Sequence, residues 1–311
     1  MPRVVYFGTP EFAVPPLSAI VEAGFPVPLV VTQPDRPAGR HAEPRASAVG
    51  AWAAARGLPV EKPLRVRGDG DLLKTLEAAR PDAIAVVAYG RLLPPAILAL
   101  PRLGCVNVHA SLLPRHRGAS PIQAAILAGD HETGVATIRM EEGLDTGPVF
   151  LERRVAIGER ETAGELSARL STLGAALLVE TLRGLAEGRL TARPQSGEPS
   201  SCRPIRREDG AVDWTAPAEE LSRRLRAFSP WPGLYTFLGG ERIKILEAHP
   251  AAGSVAGAPG EVALLEGALV AAAGGGTGLV LERLQRAGRK PVSGAEFSRS
   301  ARLPGRFQAA P

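Results

Sequence analysis

The chain is poor in several residue types. In 311 residues it has one asparagine, four lysines, two methionines and two cysteines, against 33 arginines. Cys105 and Cys202 are too few and too far apart for a disulfide framework or a structural zinc site. No apolar run reaches the roughly 18–20 residues that a membrane helix needs. The opening MPRVVYFGTP enters a strand-like run with none of the zones of a secretory leader. These absences predict a cytoplasmic protein with no metal. Aromatics make up only 5%, so the core is expected to be built from Ala, Val and Leu. The scarcity of lysine runs against the Lys and Glu enrichment of hyperthermophile proteins and leans toward a G+C-rich coding bias.

With 45% hydrophobic residues the chain has material for a real core, and its length predicts two domains. Pro and Gly are plentiful at 29 and 35 but scattered, as turns rather than disorder. The net charge of +5 is unevenly placed. Residues 1–198 carry 22 basic and 21 acidic side chains, and residues 199–311 carry 15 and 11. A basic appendage on a neutral body suits a polyanionic partner. An arginine-biased surface without a partner accounts for the charge equally well.

Short continuous apolar runs, VVYF (4–7), VPLVVT (27–32), AIAVVAY (83–89) and CVNVH (105–109), alternate with helical patterns near 12–23, 46–56 and 69–79. Such runs suit strands buried on both faces of a parallel sheet. The alternation predicts an α/β doubly wound, mostly parallel, Rossmann-like sheet with ligands at the carboxyl ends of its strands. A long helix is expected over 163–187, with Thr162 and Glu165 as a capping box and Leu166, Leu170, Leu173, Leu177 and Leu185 at helical spacing. Residues 189–206, rich in Pro, Ser and Arg, read as a linker. Beyond them a helix at 215–227 and β-like pieces at 234–238, 242–246, 261–265, 268–272 and 279–284 predict a small antiparallel barrel. The expected organisation is therefore 1–188 catalytic, 189–206 linker and 207–311 barrel.

The first βα turn, FGTPEFAV, has a single glycine where a dinucleotide fold needs three, and there is no Walker A pattern. The stretch GCVNVHASLLPRHRGASP (104–121) is richer. Asn107 and His109 point the same way from one strand, and the loop MEEGLDTGPV (140–149) presents Asp145 between two glycines. Asp can orient an imidazole, whose ordinary pKa of about 6.5 lets it move a proton at neutral pH. The Asn amide can donate to a developing oxyanion. No GxSxG elbow and no suitable Cys nucleophile accompany them. The set fits acyl transfer to an amine without a covalent enzyme intermediate. The cationic run Arg115, His116 and Arg117 leans toward function because it crowds the same loop, whereas Trp214 and Trp231 read as packing, the latter pinning the barrel to the helix before it.

At these residues the sequence resembles the folate-dependent formyltransferases. The stretch NVHASLLPRHRGASPIQAAILAGDHETGVATIRMEEGLDTGPV carries their Asn-x-His, Ser-Leu-Leu-Pro and Asp-Thr-Gly elements in order. FGTPEFAVPPL, VVTQPDRPAGR, VVAYGRLLP, DGAVDW and FSPWPG narrow the resemblance to members that act on a charged tRNA. The resemblance implies formyl transfer from 10-formyltetrahydrofolate to the α-amine of methionine on initiator tRNA. It gives Asn107, His109 and Asp145 the catalytic roles. Val87, Ala88, Tyr89, Gly90, Ser111, Leu112, Leu113, Pro114 and Glu141 would meet the folate. Arg36, Arg40, Arg45, Arg206 and Arg207 would meet the tRNA. The residues themselves show no metal-ligand spacing and nothing that suggests more than a monomer. Two other readings stay open from the residues themselves: formyl transfer to another amine, a nucleotide sugar or a purine precursor, and a silent RNA-binding protein on the same fold.

Overall fold

The computed structural model describes residues 1–38, 43–300 and 305–308. The chain divides into two compact units. One comprises Met1–Pro121, Glu132–Ala156 and Ser167–Arg203, and the other Ile122–His131, Ile157–Leu166 and the chain from Pro204 onward.

The amino-terminal region begins with β1 (Val4–Gly8), α1 (Val14–Glu22), β2 (Val30–Val31), β3 (Arg36–Ala38), β4 (Glu43–Arg45), α2 (Ala48–Ala54) and β5 (Val60–Glu61). It continues through α3 (Gly70–Ala79), β6 (Ala83–Val87), α4 (Pro95–Leu98), β7 (Cys105–His109), β8 (Arg117–Gly118) and α5 (Pro121–Ala128). Next come β9 (Glu132–Arg139), β10 (Val149–Ala156), α6 (Ala163–Ala186) and β11 (Ser201–Cys202). Seven of these strands form one sheet in the order β10-β9-β7-β6-β1-β2-β5. The five from β7 to β5 run parallel, and β9 and β10 add an antiparallel edge. Every residue of β1 and β6 is buried. This burial on both faces explains why those strands read as unbroken apolar runs.

Register sets where the site forms. Gly8 pairs with Val87 and Val87 with Val108, so β1, β6 and β7 end side by side and their following loops emerge at one edge of the sheet. Strand β9 runs the other way, and its end lies beside the start of β7, where Met140 N donates to the Cys105 carbonyl at 2.8 Å. The 140–148 loop therefore leaves at the amino end of β7 and folds back over Asn107 and His109.

Helix α6 starts as its cap dictates. Thr162 N donates to Glu165 Oε2 at 2.9 Å and Glu165 N donates to Thr162 Oγ1 at 3.3 Å, which satisfies two end donors reciprocally and holds the Glu165 carboxyl below its ordinary range. Leu166, Leu170, Leu177, Leu178, Leu182 and Leu185 are buried, each contributing about 2 kcal/mol of apolar burial.

In the second unit, α7 (Ala218–Ala227) precedes β12 (Leu234–Leu238), β13 (Glu241–Pro250), β14 (Glu261–Leu265), β15 (Ala268–Ala273) and β16 (Thr277–Arg286). β17 (Val292–Ser293), α8 (Gly294–Ser300) and β18 (Gly305–Arg306) follow. The antiparallel path is β12-β13-β16-β15-β14-β18, with β17 on β16. Gln308, just past β18, exchanges backbone bonds of 2.8 and 3.2 Å with Phe237 of β12. The chain leaving one edge strand thus reaches the other and curls the sheet into a barrel.

Trp214 is core. Its ring stacks on Phe307 at 5.5 Å, and its Nε1 donates to Thr236 Oγ1 at 3.0 Å. Trp231 is not: 57% of it is exposed, so it does not pin the barrel to α7. Helix α7 begins at Ala218 rather than 215. Pro217 is extended at ψ 152, and the residue before a proline resists helical geometry.

Candidate active site

Strand β7 carries Asn107 and His109 on one face, and the folded-back loop brings Asp145 onto them. Asn107 Nδ2 donates to Asp145 Oδ1 at 3.2 Å, and His109 Nδ1 lies 3.5 Å from Asp145 Oδ2. A third donor comes from the chain after β7, where the Gly118 N–H reaches Asp145 Oδ2 at 2.9 Å. The three expected catalytic side chains therefore meet, with Asp145 as their hub. The His109 side chain is 5% exposed and that of Asp145 11%. In such surroundings an acceptor is costly to leave without donors.

The hydrogens on His109 follow from its neighbours. Nε2 lies 3.0 Å from the His116 carbonyl, which can only accept, so Nε2 carries a hydrogen. Both ring nitrogens thus face acceptors in this arrangement. His116 is buried and holds a left-handed φ of 57, as does Asp145 at φ 53. Non-glycine residues take that region at a cost of roughly 1–2 kcal/mol, and here the surrounding bonds over-determine it.

Those bonds come from a segment expected to be a linker. Ser200 N donates to the Pro114 carbonyl at 3.2 Å, His116 N to Ser200 Oγ at 2.9 Å and Arg117 N to the Ser200 carbonyl at 2.8 Å. Strand β11 then pairs with β8. Gly118 sits at φ 118, and a Cβ there would strike the Cys202 carbonyl, so only glycine admits this pairing. Further back, Gln195 Nε2 donates to the carbonyls of Asp145 and Gly147, both at 2.7 Å. Sequence reasoning missed Gln195, which lies 50 positions from Asp145. Its Oε1 accepts from the Arg117 guanidinium, a pairing that nothing in the sequence signals.

Both thiols are held toward their protonated form. Burial pushes Cys105 up to about 12. Burial also raises Cys202, opposed by a hydrogen bond from Ser120 N and aided by the Asp145 charge. No cluster of His, Cys, Asp or Glu able to hold a metal occurs among the described residues.

The residues expected to meet folate are placed as follows. After β6, Ala88 at φ 45 and Gly90 at φ 78 make a sharp exposed turn around buried Tyr89. The Tyr89 carbonyl accepts from Gln33 Nε2 at 2.6 Å, and the Tyr89 hydroxyl is buried without a hydrogen-bond partner. Burial raises that hydroxyl above its ordinary pKa, opposed by the Arg91 charge. Val87, Leu113 and Pro114 are buried, and Leu112 is half-buried. Ser111 is buried and spends its hydroxyl on the Arg115 carbonyl at 2.7 Å. Glu141 is exposed, as are Leu92 at 62% and Leu144 at 57%. Among the expected tRNA contacts, Arg45, Arg206 and Arg207 are exposed. Arg36 lies on β3, and Arg40 falls outside the described residues.

Residues 2–182 match the family model for formyl transferases, and residues 204–302 match the model for the formyl transferase C-terminal domain. The fold agrees. A sugar 3N-formyl transferase solved with 5-N-formyl-THF superposes with a TM-score of 0.67 at 15% identity, covering 93% of this chain and 99% of that one. HypX from Aquifex aeolicus, solved with tetrahydrofolic acid, gives 0.61 at 18%, covering 95% and 46%. Together these set the class as formyl transferase. The methionyl-tRNA formyltransferase of Anaeromyxobacter dehalogenans (strain 2CP-1) is 47% identical over 304 residues, 96% of this chain and 97% of that one. That of Paracoccus denitrificans is 47% identical over 306 residues, 98% and 99%. The chain belongs to the methionyl-tRNA formyltransferase family.

Proposed function

We propose that this chain moves a formyl group from 10-formyltetrahydrofolate to the α-amine of methionine on initiator Met-tRNA, with Asn107, His109 and Asp145 at the reacting centre. The activity rests on relatives 47% identical over nearly full length. The residue roles rest on one observation: the Asp145 carboxylate gathers Asn107, His109 and the Gly118 N–H at once.

The surroundings fit a flat bicyclic ligand. Exposed Leu92 and Leu144 lie by the two loops, and the turn at Ala88–Gly90 is exposed on either side of Tyr89. The Tyr89 hydroxyl lacks a partner. Folate supplies the activated formyl carbon. Asn107 Nδ2 carries two hydrogens. One is spent on Asp145 Oδ1, and the other is left for the oxygen that gains charge as the amine attacks. As the new N–C bond forms, His109 takes the amine's proton. As the bond from the formyl carbon to the folate nitrogen breaks, His109 returns that proton to the leaving nitrogen. Asp145 holds the ring and steadies its charged form.

As a base, His109 needs its hydrogen on Nδ1, facing Asp145, and Nε2 free of the His116 carbonyl, so the 110–118 loop must yield that one bond to the amine. The deciding assay is transfer of labelled formyl from 10-formyltetrahydrofolate to Met-tRNA. Formyl-Met-tRNA is expected, and no transfer to Met-tRNA overturns the reading.

Arg36, Arg40, Arg45, Arg206 and Arg207 are assigned to tRNA phosphates. Each phosphate contacted steepens the salt dependence by a slope of about 0.9, through counterion release. Replacing Arg206 and Arg207 together with Ala should flatten the log Kd against log salt slope by about two. An unchanged slope removes both from the interface. A cytoplasmic location, where the tRNA substrate is, and a monomeric state belong to the same proposal. Among the described residues no helix is long and apolar enough to cross a membrane.

A further inference from the structure

Asp145 has two attachments. Its carboxylate meets the reacting residues, while its carbonyl, two bonds from Cα, faces Gln195. The Gln195 amide is fully used. Both hydrogens on Nε2 go to the carbonyls of Asp145 and Gly147, and Oε1 accepts from Arg117 Nε at 3.0 Å and Nη2 at 2.6 Å. Its orientation admits no flip. Carbonyls only accept and a guanidinium only donates, so a reversed amide would set oxygen against oxygen and hydrogen against hydrogen. Arg117 is itself fixed through its backbone, since its N–H bonds the Ser200 carbonyl at 2.8 Å and the strand it begins pairs with Ser201–Cys202.

The anchored part of the loop is the part that most needs holding. Asp145 is left-handed at φ 53. Two residues on, Gly147 has no room for a Cβ, which would strike the Arg139 carbonyl. The amide bonds two carbonyls that straddle Thr146, and so fixes the pitch of the turn that aims the carboxylate. On the other side of the same carboxylate stands Gly118 N–H, the neighbour of Arg117 in β8. One dipeptide, Arg117–Gly118, thus grips Asp145 at both ends: by its backbone N–H at the carboxylate, and by its guanidinium, through Gln195, at the carbonyl.

We propose that Arg117 and Gln195 are positioning residues for formyl transfer, aiming the Asp145 carboxylate at Asn107 and His109. The proposal rests on the catalytic reading of Asp145. It also gives the 189–206 segment a part in the chemistry beyond joining two units. Neither residue touches substrate, and both act through Asp145.

The test compares Gln195→Ala, Gln195→Glu and Arg117→Lys in the full-length protein, alone and combined with Asp145→Asn. Outer residues that orient a metal's ligands typically carry 10–100-fold, and the same order is taken for residues that orient a reacting carboxylate. Gln195→Ala is expected to lower kcat by about 10–100-fold, with KM for both substrates within about 2-fold. Gln195→Glu keeps the size and the Arg117 pair but sets oxygen against the two carbonyls. It should lose kcat similarly, and a thermal melt beside each assay shows whether the variant is folded, which guards against a misfolded alanine variant. Added to Asp145→Asn, either Gln195 change should cost little more, because residues acting as a unit are non-additive. A Gln195→Glu enzyme with normal kcat, or one whose loss multiplies fully with Asp145→Asn, overturns the clamp. If Asp145→Asn is itself near normal, the catalytic reading of Asp145 fails and the clamp falls with it. If Asp145→Asn is inactive while Gln195→Glu is normal, only the clamp fails.

Discussion

Replacing Asp145 with Asn is expected to lower kcat by about 10³–10⁴-fold, with a Tm little changed. The substitution is isosteric, so packing is kept while two properties are lost. The first is charge. The His109 ring lies 3.5 Å away with its other nitrogen against the His116 carbonyl, and the carboxylate is what steadies that ring when it carries a second proton. The second is acceptor count. Asp145 meets Asn107 Nδ2–H, Gly118 N–H and His109 Nδ1, whereas an amide offers one oxygen and one NH₂ group. Whichever way the amide turns, a donor faces a donor at the site, and either Asn107 or the 116–118 loop must move. The magnitude follows the orienting carboxylate of a hydrolase triad, where the same change costs about 10⁴. Single-turnover formyl transfer at saturating co-substrate, beside a thermal melt, reads the effect. A rate within about 10-fold of the parent removes Asp145 from the reacting centre.

What could be read from the amino acids tracks how local the governing physics is. Strand β7 was legible to the residue because CVNVH is a fully apolar-flanked run in a doubly covered sheet. The pairing of Asn107 with His109 followed from strand periodicity alone. The start of α6 was legible because a capping box is written within four residues. Helix α7 shifted by three because Pro217 governs its own neighbourhood. Strands β9 and β10 were not anticipated: β10 carries three consecutive exposed charges, Glu152, Arg153 and Arg154, at a sheet edge, which breaks its alternation.

The parts of the site furthest apart in sequence were the hardest to see. His109 and Asp145 could be paired by their chemistry. Gln195, in a stretch with no hydrophobic period, had nothing to mark it. Its role appears only once the chain folds back and supplies two carbonyls that need a donor. Closure of the barrel by Gln308 and Phe237 is of the same kind. Trp231 shows the converse, since a large apolar residue amid prolines reads as packing, yet burial is a property of the fold and not of the residue.

Asn107→Ala is expected to lower kcat by about 10²–10³-fold while leaving KM for folate and tRNA nearly unchanged, because the lost bond matters only when the formyl oxygen carries charge. The structure makes this variant interpretable. Asn107 contributes one 3.2 Å bond to Asp145 Oδ1, while Oδ2 stays held by the Gly118 N–H at 2.9 Å, so removing the amide does not release the carboxylate. Asn107→Asp sharpens the test. It keeps the volume, but an ionised Asp has no hydrogen to donate and sets a second negative charge against Asp145. Its loss should exceed that of alanine, whereas a side chain that merely filled space would tolerate Asp better than Ala. Gln at this position would carry the amide one methylene too far along the strand's face. The residue a chain with a single asparagine retains is thus a short, neutral donor with two hydrogens, one for Asp145 and one for the oxyanion. Combining Asn107→Ala with Asp145→Asn should cost far less than the product of the two losses, since both act on one transition state. Full multiplicativity, or an Asn107→Ala rate within a few-fold of the parent, would reduce Asn107 to a support for the loop.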